Sequence, residues 1–67
     1  MTSDLDIYRS ANELIKQHGE NAPIHAGMRA DELAEDGDME GRAVWLRIVK
    51  AIEELLSEER PDDAEVH

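Results

Sequence analysis

The chain of 67 residues contains no cysteine and no phenylalanine, and its only aromatic residues are Tyr8 and Trp45. The absence of cysteine excludes disulfides, thiolate zinc sites, iron–sulfur clusters and cysteine nucleophiles. A single domain of this length buries little surface, so its core supplies only about 3–5 kcal/mol of stability. We therefore expect aliphatic packing, or association with another chain, to provide the stability that disulfides and aromatic side chains cannot.

Positive charge is also scarce, because 17 Asp and Glu residues outnumber 7 Lys and Arg residues and give a net charge of -10. Such a surface repels the phosphates of nucleic acids and the anionic headgroups of membranes. The first residues show no basic region and no apolar run of a secretory signal, and no apolar stretch is as long as a membrane span. The sequence thus predicts a cytoplasmic protein that binds neither nucleic acid nor membrane.

What the chain does contain is apolar side chains at helical spacing, in three stretches that Gly19 and Gly37 separate. Glycine is favoured at the left-handed position that ends a helix, so each of the two is interpreted as a helix stop. The pattern predicts an all-α fold, a compact three-helix domain whose helices span about residues 4–18, 22–36 and 38–58.

The ends of the predicted helices also carry signals. Ser3 and Asp38 are good N-cap residues for the first and third helices. Short connections favour antiparallel neighbours, and we expect one domain over residues 1–59. The acidic residues that follow, 60–67, are interpreted as a disordered tail.

Two of the predicted helices have more apolar surface than a small core needs. In the third helix the apolar residues cover close to half of the circumference, which is wider than one neighbouring helix requires. In the second helix two apolar side chains project away from a face of small alanine side chains. The candidate interface residues are Ile24, Met28, Trp45, Leu46, Val49 and Leu56. Trp45 lies within the stripe of the third helix, so it is either a core residue or an interface anchor.

Side chains that could bind a metal are few. A hairpin could bring His18 and His25 together near Glu20, but their spacing matches no compact metal motif. Residues 36–41 have the acidic spacing of a calcium loop, yet Arg47 takes the position where such a loop needs a bidentate glutamate. We expect no specific metal ion and no cofactor, and we interpret residues 36–41 as a junction between helices.

The carboxylates lie mostly on predicted polar faces, and no phosphate-binding loop, serine elbow or zinc signature is present. We therefore predict that the chain is not an enzyme and has no catalytic residue. Arg29 and Arg42 are candidate positions for salt bridges or for anion binding. Either they pair with nearby acids, Glu32 for Arg29 and the cluster at residues 35–38 for both, or they bind an anion or a peptide carboxylate.

A recurring order of small, apolar and turn residues runs along the chain: Ala11-x-x-Leu14-Ile15-x-x-His18-Gly19-x-x-Ala22-Pro23, then Ala26-x-x-Arg29-Ala30, Gly37-Asp38 and Trp45-x-x-Ile48. Over about residues 7–56 this order resembles a family of short, uncharacterised all-helical proteins from proteobacteria, a domain of unknown function. The resemblance implies a compact all-helical domain in a bacterial cytoplasm. It implies no activity, cofactor or catalytic residue.

These observations predict a small acidic protein–protein interaction module, and we expect it to self-associate as a homodimer. The marginal core and the surplus apolar surface are the reasons. The alternative is an acidic regulator, or a nucleic-acid mimic, that binds a basic surface on a partner protein. The density of carboxylates in residues 31–40 and 53–65 motivates that alternative.

Overall fold

A computed structural model of the chain describes residues 3–58, apart from the side chain of Glu58. Within this range the fold is all-α, as the sequence predicts. The predicted acidic tail, residues 60–67, lies outside the described residues.

Two helical segments make up the described part of the chain. The first, which we call the bent helix, has a first limb over Asp4–His18, a 3-10 turn over Gly19–Asn21 and a second limb over Ala22–Glu35. The second segment is the C-terminal helix, Met39–Glu58. The prediction of a three-helix domain is therefore wrong, because the two limbs and the 3-10 turn between them follow one another without a gap and form one bent helix.

Gly19 bends the helix without ending it. Its positive φ of 60°, with ψ at -131°, is a combination that a residue with a Cβ atom rarely adopts. The Gly19 N–H still donates to the carbonyl oxygen of Ile15, and the Ala22 N–H donates to the carbonyl oxygen of Gly19. Hydrogen bonding thus passes through the turn, and the direction of the chain changes at Gly19 before helical backbone resumes in the second limb.

Gly37 ends the bent helix. With φ 83° it donates its N–H to the carbonyl oxygen of Ala34 at 3.1 Å, and Asp38 donates to that of Leu33 at 2.8 Å. This pair of bonds is a Schellman motif, which satisfies the last free carbonyls of a helix. Asp38 then accepts the N–H of Gly41 through Oδ1 at 2.9 Å and so caps the next helix.

The predicted caps are both present. Besides Asp38, Ser3 accepts the Asp6 N–H through its Oγ atom at 3.2 Å at the start of the first limb. Residues 36–38 therefore form the tight turn of a helical hairpin, in which the second limb and the C-terminal helix pack against each other.

The core is small and rich in alanine. Its buried residues are Ile7, Ala11, Ala22, Ala26, Ala30, Ile48, Ala51 and Ile52. Among the described residues, Ile52 is the one large side chain that is fully buried. Trp45 packs against this core but is only half-buried, so it lies at the edge of the core. Because alanine buries little apolar area, the packing leaves a small margin of stability.

Candidate functional site

The C-terminal helix carries apolar side chains that its own chain leaves partly uncovered. Trp45, Val49 and Leu56 are half-buried, and Leu46 is 42% exposed. At about 100° per residue, the first three lie within about 40° of one another around the helix. They form one edge of the apolar surface, next to the buried row that contains Ile48 and Ile52.

The first limb of the bent helix packs against the opposite edge. The Tyr8 hydroxyl donates to Oε1 of Glu54 at 2.7 Å, and an open groove of about 330 Å³ separates the two elements. On the C-terminal helix this groove is lined by Arg47, Lys50, Ala51 and Glu54. These four residues lie about 120° to 180° around the helix from the middle of the edge that contains Trp45. The first limb therefore does not cover that edge, whose Trp45, Val49 and Leu56 are half-buried and pack against the core from the other side.

Exposed and half-buried apolar side chains follow this outer side along the C-terminal helix. We call this set the outer strip, and it consists of Met39, Leu46, Val49 and Leu56. Met39 is 58% exposed and is not among the candidate interface residues predicted from the sequence. The signal that could have found it is its position seven residues, or two helical turns, before Leu46.

Ile24 and Met28 form a separate apolar pair on the second limb. They are 62% and 54% exposed, and they lie about 180° around the helix from the buried row of Ala22, Ala26 and Ala30. The prediction that they project away from the alanine face is confirmed. The structure thus divides the six candidate interface residues, because four lie along the C-terminal helix and two on a different element.

The two candidate arginines differ in their partners. Arg29 makes a 3.0 Å salt bridge with Glu32, as the sequence predicts, and both side chains are exposed. Such a pair contributes about 0–1 kcal/mol. The half-buried Arg42 makes no ion pair with another described residue, so of its two alternatives the pairing with the acids at residues 35–38 is not observed. Its backbone N–H donates to the Asp38 carbonyl oxygen. That bond leaves its guanidinium without an ion-pair partner among the described residues.

The bend brings His18 and His25 together. Their rings stack with centroids 3.7 Å apart and planes 16° from parallel. A metal ion binds in the plane of an imidazole ring, so stacked rings cannot both direct a nitrogen at one ion without turning. Among the described residues, no group of three or more His, Cys, Asp or Glu side chains is placed to hold a metal ion. The arrangement shown is a ring contact across the bend.

Comparisons with known proteins add no further assignment. No family model matches the chain, and no curated protein and no solved structure matches it. The resemblance to a proteobacterial family therefore stays a prediction. In the part of the chain that the structure describes, no helix has the length and apolar character needed to cross a membrane.

Proposed function

We propose that the protein is a small, non-enzymatic interaction module that self-associates as a homodimer through the outer strip of its C-terminal helix. The observation that carries this proposal is the exposure of Met39 and Leu46 in line with the half-buried Val49 and Leu56. The strip runs over about 26 Å, since its ends are 17 residues apart and each residue adds 1.5 Å. An apolar strip of this length, interrupted only by single charged positions, is typical of helix–helix interfaces.

The weakness of the core supports the same proposal. Five of the eight buried core residues are alanines, and the three others are isoleucines. Because a chain of this size has little stability to spare, a second copy that covers the outer strip would stabilise the folded state by mass action.

The charge of the chain predicts how association responds to salt. Two copies, each with a net charge of -10, repel each other at low ionic strength. At an ionic strength of 0.1 M, salt largely screens the repulsion between charges that are more than about 10 Å apart. The contribution of apolar burial is not screened. Self-association through the outer strip should therefore be as strong at high salt as at low salt, or stronger.

Sedimentation equilibrium over a wide range of protein concentrations, at low and high salt, tests the proposal. We expect a dimer that salt does not dissociate. The double variant Met39→Gln/Leu46→Gln, which changes the two exposed residues of the strip, should be monomeric. Leu5→Gln, which changes a more exposed leucine on the first limb, should still dimerise. A wild-type chain that is monomeric at every concentration would contradict the proposal.

The alternative of an acidic regulator rests on the hairpin turn. Six exposed carboxylate residues surround it: Asp31, Glu32, Glu35, Asp36, Asp38 and Glu40. As a nucleic-acid mimic the chain would displace DNA from a basic DNA-binding domain, and the displacement would weaken steeply with salt. A variant with Asp31→Asn and Glu35→Gln should lose this competition, while Glu13→Gln on the first limb should retain it. Failure of the wild type to displace DNA at low salt would exclude this alternative.

A further inference from the structure

We infer that the two copies pair through antiparallel C-terminal helices, with Arg42 of each copy against Glu53 of the partner subunit. The inference rests on the proposed self-association and adds its geometry and its register. It also assigns a role to Arg42, whose guanidinium makes no ion pair with another described residue.

The spacing of the residues on the outer side of the helix is the first argument. Arg42 and Glu53 lie in line with the outer strip, and together we call these six residues the outer seam. In order they are Met39, Arg42, Leu46, Val49, Glu53 and Leu56. The intervals alternate between three and four residues, which is the spacing of the a and d positions in a coiled-coil seam. The helix thus carries a second seam besides the buried row that contains Ile52.

The second argument is that the outer seam matches itself when the direction of one copy is reversed. When the two-fold axis passes midway between Arg47 and Ile48, Leu46 lies opposite the partner's Val49. In the same register, Met39 lies opposite the partner's Leu56. Each apolar residue therefore meets an apolar residue. Because the two copies are related by a two-fold axis, every such contact occurs twice.

Charge is the third argument, and it selects the direction. In the antiparallel register Arg42 comes opposite the partner's Glu53, so the two charged positions of the seam become two ion pairs. In a parallel register Arg42 would meet a second Arg42, and Glu53 a second Glu53, which is repulsive. A charged layer in an otherwise apolar seam costs stability but specifies register and orientation.

The partial burial of Arg42 makes its free energy depend on whether the two helices pair in the parallel or the antiparallel direction. It is half-buried on the intact chain, and neither Arg42 nor Glu53 has an ion-pair partner among the described residues. A neighbouring copy that covered the strip would bury both charges further. Burial of an unpaired charge is costly, whereas burial as a hydrogen-bonded pair is tolerated. The outer seam therefore fits a second copy of this chain in the antiparallel direction.

Charge reversal tests the pairing. Arg42→Glu places a new carboxylate against the partner's Glu53 twice, and Glu53→Arg places two arginines together in the same way. Each single variant should dimerise at least about tenfold more weakly than the wild type. The double variant Arg42→Glu/Glu53→Arg restores two opposite-charge pairs and should recover most of the lost affinity. An equimolar mixture of the two single variants should form a heterodimer for the same reason.

The outcomes separate the inference from the proposed function. A monomeric wild type would overturn the proposed self-association itself. A dimeric wild type whose single variants associate as tightly as it does would overturn the antiparallel pairing and leave self-association standing. Failure of the double variant to recover affinity would also overturn the pairing. Circular dichroism of each variant at low concentration shows whether the fold is retained.

Cysteine cross-linking gives a second readout, and the cysteine-free chain suits it. On mild oxidation, a chain with Leu46→Cys should form a disulfide with a chain carrying Val49→Cys more readily than with itself. A parallel dimer, or a dimer formed through Ile24 and Met28, would not show this preference, and either result would contradict the inference.

Discussion

The inner face and the outer strip of the C-terminal helix are built from similar aliphatic side chains, and they meet different surroundings. Ile48 and Ile52 on the inner face are at most 4% exposed, whereas Leu46 on the outer strip is 42% exposed. Both sets follow the same helical period, so composition and spacing do not distinguish them. Apolar spacing on a helix therefore predicts which side chains favour burial. It does not predict whether the same chain or a second chain buries them.

The comparison also separates two measurable quantities. Residues of the inner face should determine the free energy of unfolding of the single chain, because their burial is complete within it. Met39 and Leu46, the exposed residues of the outer strip, should determine the dissociation constant of the dimer. Val49 and Leu56 also pack against the core, so their replacement should change both quantities. Substitutions at Ile52 and at Leu46 should therefore change different measurements.

The largest effect is expected at the centre of the inner face. Ile52→Ala removes the one large side chain that is fully buried among the described residues, and it should lower the free energy of unfolding by about 3 kcal/mol. That loss is comparable to the whole stability of such a small core, so the variant should be largely unfolded at low concentration. Denaturation by urea, followed by circular dichroism, measures the change. A loss below about 1 kcal/mol would show that the inner face does not hold the fold together.

Trp45 lies at the boundary between the two faces, so its replacement should change both quantities. Trp45→Ala should lower the free energy of unfolding by about 2 kcal/mol, less than a fully buried tryptophan would, because the side chain is half-buried. It should also weaken self-association, since the indole flanks the outer seam. Urea denaturation and sedimentation equilibrium on the same variant measure the two effects. A change in only one of them would assign Trp45 to a single face.

The two glycine turns show how far the fold could be predicted from the sequence. Both glycines have positive φ, as expected for helix-ending positions. Gly37 ends its helix because Asp38 follows it and caps the next one. Asn21, two residues after Gly19, has helical φ and ψ and makes no side-chain cap bond. Without a residue that caps a new helix, the backbone continues as a bend, and a prediction from glycine alone overlooks this.

The candidate site could be predicted only in part. Helical phase selected Leu46, Val49 and Leu56, since these positions depend on spacing alone. Which edge of the C-terminal helix is covered depends on where the first limb packs, and contacts such as Tyr8 with Glu54 join residues far apart in the sequence. The partner of Arg29 was predictable because Glu32 is one turn away. The lack of an ion pair at Arg42 among the described residues was not predictable, because the acids of the hairpin turn lie nearby in sequence without pairing with its guanidinium.

A smaller effect is expected at Asp38, the N-cap of the C-terminal helix, which carries both faces. Asp38→Ala removes the bond to the Gly41 N–H and should lower the free energy of unfolding by about 1 kcal/mol. Asp36→Ala is the matched control, because it removes an acid of the same turn whose side chain caps no helix. The dissociation constant should be unchanged wherever the chain stays folded. A larger change for Asp36→Ala than for Asp38→Ala would contradict the role of the cap.

The smallest effect on the fold is expected at the most exposed leucine of the outer strip. Leu46→Gln should change the free energy of unfolding of the monomer by less than about 0.5 kcal/mol, because the side chain is already largely in water. The same substitution at Leu55, which is half-buried and packs against the core, should destabilise the monomer. Self-association should show the reverse order, with Leu46→Gln weakening the dimer and Leu55→Gln leaving its dissociation constant unchanged at concentrations where the chain is folded. If both variants lowered stability and neither changed association, the outer strip would be part of the core, and the two faces of the helix would serve one purpose.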